Sequence, residues 1–186
     1  MMKCASFFAG VGGIDKGFEA TNFFDVIYAN ELDPYPVKTY ELNSKIKVDC
    51  RDIHDVNPSE IPDFDVMLAG FPCQAFSVAG NRQGFDDEKG RGTLFFELLR
   101  IIKDKKPSVV FLENVKNLIS HDNGNTFTVI VNALKEEGYF IKHSVLNAME
   151  YGNIPQNRER IYIVGFKDKE TYKNYEFPMP IKLETK

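Results

Sequence analysis

The sequence predicts an α/β protein built on one doubly wound, mostly parallel sheet. Three observations lead there. Short apolar runs alternate with helix-like segments along the chain, as expected when helices cover both faces of a sheet. Val66-Met67-Leu68-Ala69 and Val109-Val110-Phe111-Leu112 are unbroken apolar runs, the composition of central parallel strands buried on both faces. The first apolar run passes into Gly10-Val11-Gly12-Gly13, a glycine turn that opens a helix.

Each element follows from its local pattern. Cys4–Phe8 reads as the first strand, Ile14–Ala20 as the helix after the glycine turn, Phe24–Asn30 as the second strand and Pro34–Leu42 as the second helix. The strand Val66–Ala69 leads to a helix over Thr93–Lys105, where Leu94, Leu98, Ile101 and Ile102 make one apolar stripe. A strand at Val109–Glu113, a helix at Asn125–Glu137 and strands at Lys142–Leu146 and Arg160–Phe166 complete the pattern. No repeat or low-complexity segment interrupts it. Residues 1–166 read as one unit. The polar stretch from Lys167, closed by Pro178 and Pro180, reads as a linker or tail, 167–186.

Bulk properties narrow the function. With 186 residues, 43% hydrophobic, the chain can bury one core but not two ample domains. No stretch approaches the ~20 apolar residues of a membrane span, and the N-terminus runs into the glycine turn without room for a signal peptide. Cys4, Cys50 and Cys73 are odd in number and unpaired in spacing, so neither a disulfide framework nor a metal site is expected. A reducing, cytoplasmic setting follows. The net charge of −4 sits awkwardly with phosphate binding, which usually requires a basic face.

Chemistry concentrates at the ends of the strands. Phe8-Ala9-Gly10-Val11-Gly12-Gly13 lets backbone approach a ligand closely and leaves helix N–H groups free. A dinucleotide fingerprint needs a third glycine at position 15, where Asp15 stands, so a nucleoside cofactor without pyrophosphate fits better. The second strand ends at Asn30-Glu31, where an acid commonly accepts ribose hydroxyls. Gly70-Phe71-Pro72-Cys73-Gln74 and Glu113-Asn114-Val115 end two adjacent central strands, so a thiol and a carboxylate converge at one edge. A buried cysteine is usually a small hydrophobe and such a Glu often caps a helix, but a Pro-flanked Cys opening a polar loop departs from that pattern. From Phe71 to Gly92 the chain is glycine-punctuated and charged, as lids often are.

In this order and spacing, the motifs resemble those of the DNA cytosine-5 methyltransferase family over nearly the whole chain. Phe8–Gly13 resembles the family's first motif, Asn30–Asp33 the second and Asp52-Ile53 the third; Gly70–Ser77, Glu113–Val115 and Gln156–Arg160 resemble the fourth, sixth and eighth. The resemblance implies a Rossmann-like S-adenosylmethionine-dependent methyltransferase fold, lacking the second small domain. It implies that Cys73 attacks carbon 6 of cytosine, that Glu113 holds or protonates N3, and that Arg160 binds O2 with Arg158 supporting the pocket. It places Phe8 and Leu32 on the two faces of the adenine, Glu31 on the ribose and Asp52 with Ile53 at the adenine edge. Gly10 and Gly12 form the loop, and Pro72 lies beside the methyl group. Ser6 stands where the first motif usually carries an acid, and Leu32 where some members have an aromatic ring.

Double-stranded DNA is the implied substrate, with the target base flipped from the stack. Ala75–Gly92 resembles the family's catalytic loop, with Gln83, Lys89 and Arg91 near the DNA backbone. The family's target-recognition domain and last motifs lie beyond the matched part, so a complementary subunit or C-terminal segment is expected to carry them. Two other readings are a transfer-RNA cytosine methyltransferase and a non-catalytic remnant that binds cofactor or a partner.

Overall fold

A computed structural model describes residues 1–72 and 94–181. Cys73, Gln83, Lys89 and Arg91, and most of the loop that holds them, lie outside the described residues. Six strands form one sheet: β1 (Met2–Phe7), β2 (Phe24–Asn30), β3 (Val66–Gly70), β4 (Val109–Val115), β5 (Phe140–Asn147) and β6 (Glu159–Phe166). Their order is β2-β1-β3-β4-β6-β5. β2, β1, β3 and β4 pair in parallel, whereas β6 runs antiparallel to both β4 and β5. The doubly wound, mostly parallel sheet is therefore present, closed by one reversed strand.

Alternation along the strands assigns residues to faces. Ala5, Phe7, Met67, Ala69, Val110, Leu112, Ile161 and Ile163 point to the larger core. There they meet Phe95, Leu98 and Ile102 of α3 (Leu94–Lys105) and Ile130 and Leu134 of α4 (Asn125–Glu136). Cys4, Val26, Val66 and Leu68 point the other way, against Ile14 and Phe18 of α1 (Gly13–Glu19). Beside α1 that face holds an open apolar groove of about 490 Å³, lined by Gly13, Ile14, Gly17, Phe18, Thr21, Phe24, Phe111 and Tyr162. α2 (Pro34–Asn43) packs Val37 and Tyr40 over Ala29 and Val48.

The polar stretch after Lys167 is more ordered than its composition suggests. Lys169–Asn174 forms a short helix, capped by the Asp168 carboxylate on the Thr171 N–H. Tyr172 lies against Phe140 and Tyr175 against Phe166, fastening the segment to the sheet edge. Among the described residues, no helix is long and apolar enough to cross a membrane.

Because β1 to β4 run in parallel, their carboxyl ends share one edge of the sheet, where ligands of such folds bind. β6 runs the opposite way, so its first residues, Glu159 and Arg160, open at this same edge. In register, Gly70 lies opposite Glu113 and Val115 opposite Arg160.

Candidate active site

Near the end of β4, Glu113 is flanked by two arginines, Arg158 just before β6 and Arg160 in its first residues. Arg160 Nε lies 2.9 Å from Glu113 Oε1, and Arg158 Nη2 lies 3.9 Å from it. The Glu113 and Arg160 side chains are 18% and 20% exposed, so this pair is shielded from solvent far more than an ordinary surface bridge. Arg158 is half exposed. A neighbouring cleft of about 410 Å³ is lined by Val115, Lys116, Asn117, Gln156, Asn157, Arg158, Glu159 and Arg160. Two guanidiniums opening on a cleft, with a carboxylate behind, present donors and one acceptor to a polar planar ligand. Tyr162, opposite Glu113 on β6, has its phenol pushed above the usual range, by burial first and by Glu113 second.

Two asparagines hold this frame, and sequence reasoning gave neither a role. Asn114 is buried; its amide N–H donates to Phe71 O at 2.9 Å and its oxygen accepts the Val115 N–H at 2.8 Å. The end of β4 thus pins the backbone just before Pro72, which is itself exposed. Asn147, at the end of β5, accepts the Arg158 N–H at 3.1 Å and donates to Asn157 Oδ1 at 2.7 Å. It also caps the single turn Ala148–Tyr151, and the Ala148 N–H bonds Arg158 O at 3.0 Å. Asn157 and Arg158 are thus positioned from the end of β5 just before β6 begins. No local signal marks the bond of Asn114 to Phe71, 43 residues away, or those of Asn147 across to Asn157 and Arg158.

The cofactor candidates cluster at the ends of β1 and β2. Phe8 has φ 53, a left-handed conformation uncommon for a non-glycine residue, and Gly10 and Gly12 follow at φ 54 and 86. The loop closes on itself through Gly12 N–H to Ala9 O at 2.9 Å. Gly10 N–H donates to Glu31 Oε2 at 2.9 Å, while Glu31 Oε1 accepts the Asp33 N–H at 3.0 Å. Glu31 is thereby fixed from both sides with lone pairs to spare. A β-carbon at Gly12 would lie 2.8 Å from the Tyr40 ring, so the tight approach here requires glycine.

Asn30 brings the adenine-edge candidates alongside. Its buried amide donates to Asp49 O and Arg51 O, each at 2.9 Å, and so draws the segment before Asp52 against the end of β2. Asp52 accepts the His54 N–H at 3.0 Å, and this bond above all holds its carboxyl below the usual range. Leu32 is exposed, free to meet a planar ligand. Ile53, 2% exposed, belongs to the core, so any part it takes in a site comes through its backbone. Arg100 of α3 braces this turn by donating to Ile53 O and Val56 O at 3.0 Å each.

A further residue enters with the loop. Asp15, which sequence reasoning used only against a dinucleotide fingerprint, is buried and accepts hydrogen bonds from Ser6 and Tyr40. An acid in the first turn of a helix looks from sequence like a routine complement to the helix dipole. Among the described residues, no group of three or more His, Cys, Asp or Glu is placed to hold a metal ion.

Comparison with known proteins places the chain in a family. The family model for C-5 cytosine-specific DNA methylases matches residues 2–186. The Type II methyltransferase M.Bsp6I of Bacillus sp. (strain RFL6) is 61% identical over 97% of this chain, and M.HhaI of Haemophilus parahaemolyticus is 47% identical over 99%. The chain spans about half the length of these relatives, 57% and 55%. Among solved structures, a putative DNA modification methyltransferase from an Escherichia coli prophage superposes with a TM-score of 0.76 at 23% identity, covering 99% of this chain and 52% of that one. Spodoptera frugiperda DNMT2 superposes with a TM-score of 0.74 at 22% identity, covering 92% and 51%. These likenesses carry the fold, and the sequence match carries the kinship: the chain belongs to the C-5 cytosine-specific DNA methylase family.

Proposed function

We propose that this chain carries the methyl-transferring centre of a DNA cytosine-5 methyltransferase, acting on a cytosine flipped out of duplex DNA. The observation that carries the reading is the convergence of Glu113, Arg158 and Arg160 at one sheet edge beside the Gly70-Phe71-Pro72 turn, with Cys73 next in sequence. The family description favours DNA over transfer RNA.

The residues fit S-adenosylmethionine. The left-handed glycine loop leaves room where a side chain at Gly12 would collide with Tyr40, and Glu31 is held at the loop's mouth. Phe8 and Leu32 would enclose the adenine, Asp52 and the Ile53 backbone would meet its edge, Glu31 the ribose, and Pro72 the methyl end. Bound there, S-adenosylmethionine supplies an electrophilic methyl group.

Carbon 5 of cytosine is a poor nucleophile. The Cys73 thiolate adds to carbon 6, and the electron pair released from the 5,6 double bond makes carbon 5 the attacking atom. Glu113 meets the N3 side and Arg160 the O2 side, where negative charge develops on addition; Arg158 supports the same pocket. Carbon 5 would take the methyl as its bond to sulfur breaks, with S-adenosylhomocysteine as leaving group; a general base then removes the carbon 5 proton, the double bond re-forms and Cys73 leaves as thiolate. Gln83, Lys89 and Arg91 would contact the DNA backbone.

The active form includes the portion of the relatives' length that this chain does not span, in the same polypeptide or a separate one. The partial coverage and the open aromatic groove beside α1 support this. Sequence choice and most phosphate contacts would lie there, consistent with the chain's net charge of −4. A Type II restriction–modification setting is the natural context, by the names of the relatives.

Trapping tests the chemistry. Duplex DNA with 5-fluorocytosine at the target, mixed with the chain, the remaining portion of a close relative and cofactor, should yield a covalent protein–DNA adduct. Cys73→Ser should abolish it. Persistence of the adduct would exclude Cys73 as nucleophile; an unmodified chain that never forms one with any complement would sink the methyltransferase reading.

A further inference from the structure

Asp15 is the one carboxylate buried among the described residues, with 1% of its surface exposed. A carboxylate carried into an interior is costly unless its lone pairs are met. Here they are: Oδ1 accepts the Ser6 hydroxyl at 2.7 Å and Oδ2 accepts the Tyr40 phenol at 2.7 Å. Ser6 comes from β1, Tyr40 from α2 and Asp15 from the first turn of α1, so one carboxyl joins three elements. These elements surround the glycine loop. The Tyr40 ring, held by Asp15, lies against Gly12, where a β-carbon would approach its Cε2 to 2.8 Å. Two residues earlier, Gly10 gives its N–H to Glu31. The carboxyl is therefore connected, through the loop backbone, to the acid assigned above to the ribose. Ser6 itself stands two residues before Phe8, at the place where the resemblance leads one to expect an acid.

We infer that Asp15 is a positioning residue, an anchor that sets the Gly10–Gly12 loop and hence Glu31, and that it supplies from α1 the acid that β1 lacks. It acts through the loop, since its own oxygens are occupied and buried. The inference rests on the cofactor reading given above.

Amide hydrogen exchange on the 186-residue chain without ligand provides the first test. Asp15→Asn keeps the shape but loses the charge, and its carboxamide oxygen replaces only one of two acceptors. Peptides covering Phe8–Glu19 should exchange about tenfold faster than in the unmodified chain, in line with the loss of charge-assisted bonds, while β3 and β4 stay protected. Tyr40→Phe, which removes one donor and leaves the acid, should show a smaller change in the same peptides. Calorimetry with S-adenosylhomocysteine should weaken in the same order. The exchanged pair S6D/D15S, with the acid returned to β1, should recover both loop protection and affinity.

Unchanged loop exchange in Asp15→Asn, or equal acceleration across the whole chain, would overturn the anchor. A loosened loop with undiminished affinity would overturn its service to the cofactor. Failure of the exchanged pair to recover either property would overturn the relocation of the acid. Failure of the unmodified chain to bind even with the complementary portion of a relative added, with the loop still responding to Asp15→Asn, would remove the cofactor reading and leave the anchor standing.

Discussion

Asn114 spends both ends of its carboxamide on the backbone that frames the candidate site, and its position explains why. It follows Glu113 by one residue on β4, so its side chain points to the opposite face and into the interior, 2% exposed. There it meets the Phe71 carbonyl as the chain leaves β3. Asn114→Ala would leave that carbonyl without its donor, at a cost of about 1–3 kcal/mol. The expected outcome is a lower urea midpoint with unchanged slope. Adduct formation on 5-fluorocytosine DNA should also slow more than cofactor affinity falls, because Pro72 and Cys73 follow the loosened turn. Equal losses in both would place the effect on the fold alone. Glu113 was legible as a candidate because it ends a central strand, where the edge chemistry of an α/β sheet collects, and Arg158 and Arg160 because their run resembles a family motif. The work of Asn114 was not, since its partner lies 43 residues away. The same holds for Asn147 and for the Asp15 carboxyl, whose bonds cross between elements. Cys4 shows the converse: burial pushes its thiol up to about 12, marking it as core rather than chemistry.

The glycine loop is an element defined by what its residues lack. Gly12 and Gly13 are adjacent, yet the structure asks different things of them. Gly12 sits at φ 86, and a β-carbon there would lie 2.8 Å from the Tyr40 ring, which is tethered to Asp15 and slow to yield. Gly13 opens α1, and a β-carbon there meets nothing within 4 Å. Gly12→Ala should therefore cost roughly 1–3 kcal/mol of stability and abolish S-adenosylhomocysteine binding. Gly13→Ala should melt at or slightly above the parent, because alanine favours a helix. Thermal melting and calorimetry on the pair check this; equal behaviour would mean that the loop's tightness plays no part. Periodicity located the strands and longer helices to within a few residues, because burial on one or both faces writes itself locally. It said nothing of the reversal of β6, since an apolar run reads the same for either strand direction. It also missed the helix Lys169–Asn174, a polar segment ordered by a cap at Asp168 and by Tyr172 and Tyr175 on aromatic partners far back in the chain.

Among the described residues, one face of the sheet is covered by helices and the other is covered only in part. α3 and α4 cover the larger core, whereas α1 covers only part of the opposite side. The groove left there is floored by Phe111 and Tyr162 and walled by Phe18, with Gly13 and Gly17 allowing a neighbour to come close to α1. Rings stacked edge-on, such as Phe18 with Phe24 and Phe111, give an apolar surface of the kind that usually has a partner. The occupant proposed is the portion of the relatives' length outside the match, and Gly17 offers a clean probe of it. A β-carbon at Gly17 meets nothing within 4 Å, so Gly17→Leu should fold at least as well as the parent, with a gain in helix propensity. Its side chain would fill the groove. Association with the complementary portion of M.Bsp6I, followed by sedimentation or by loss of dye binding to exposed apolar surface, should weaken by about tenfold or more, the effect of an obstructed hydrophobic contact. Adduct formation on 5-fluorocytosine DNA should fall with it and return when the complement is raised in concentration, because neither Glu113 nor Arg160 lines the groove. Undiminished association would mean that the groove is not where the two parts meet.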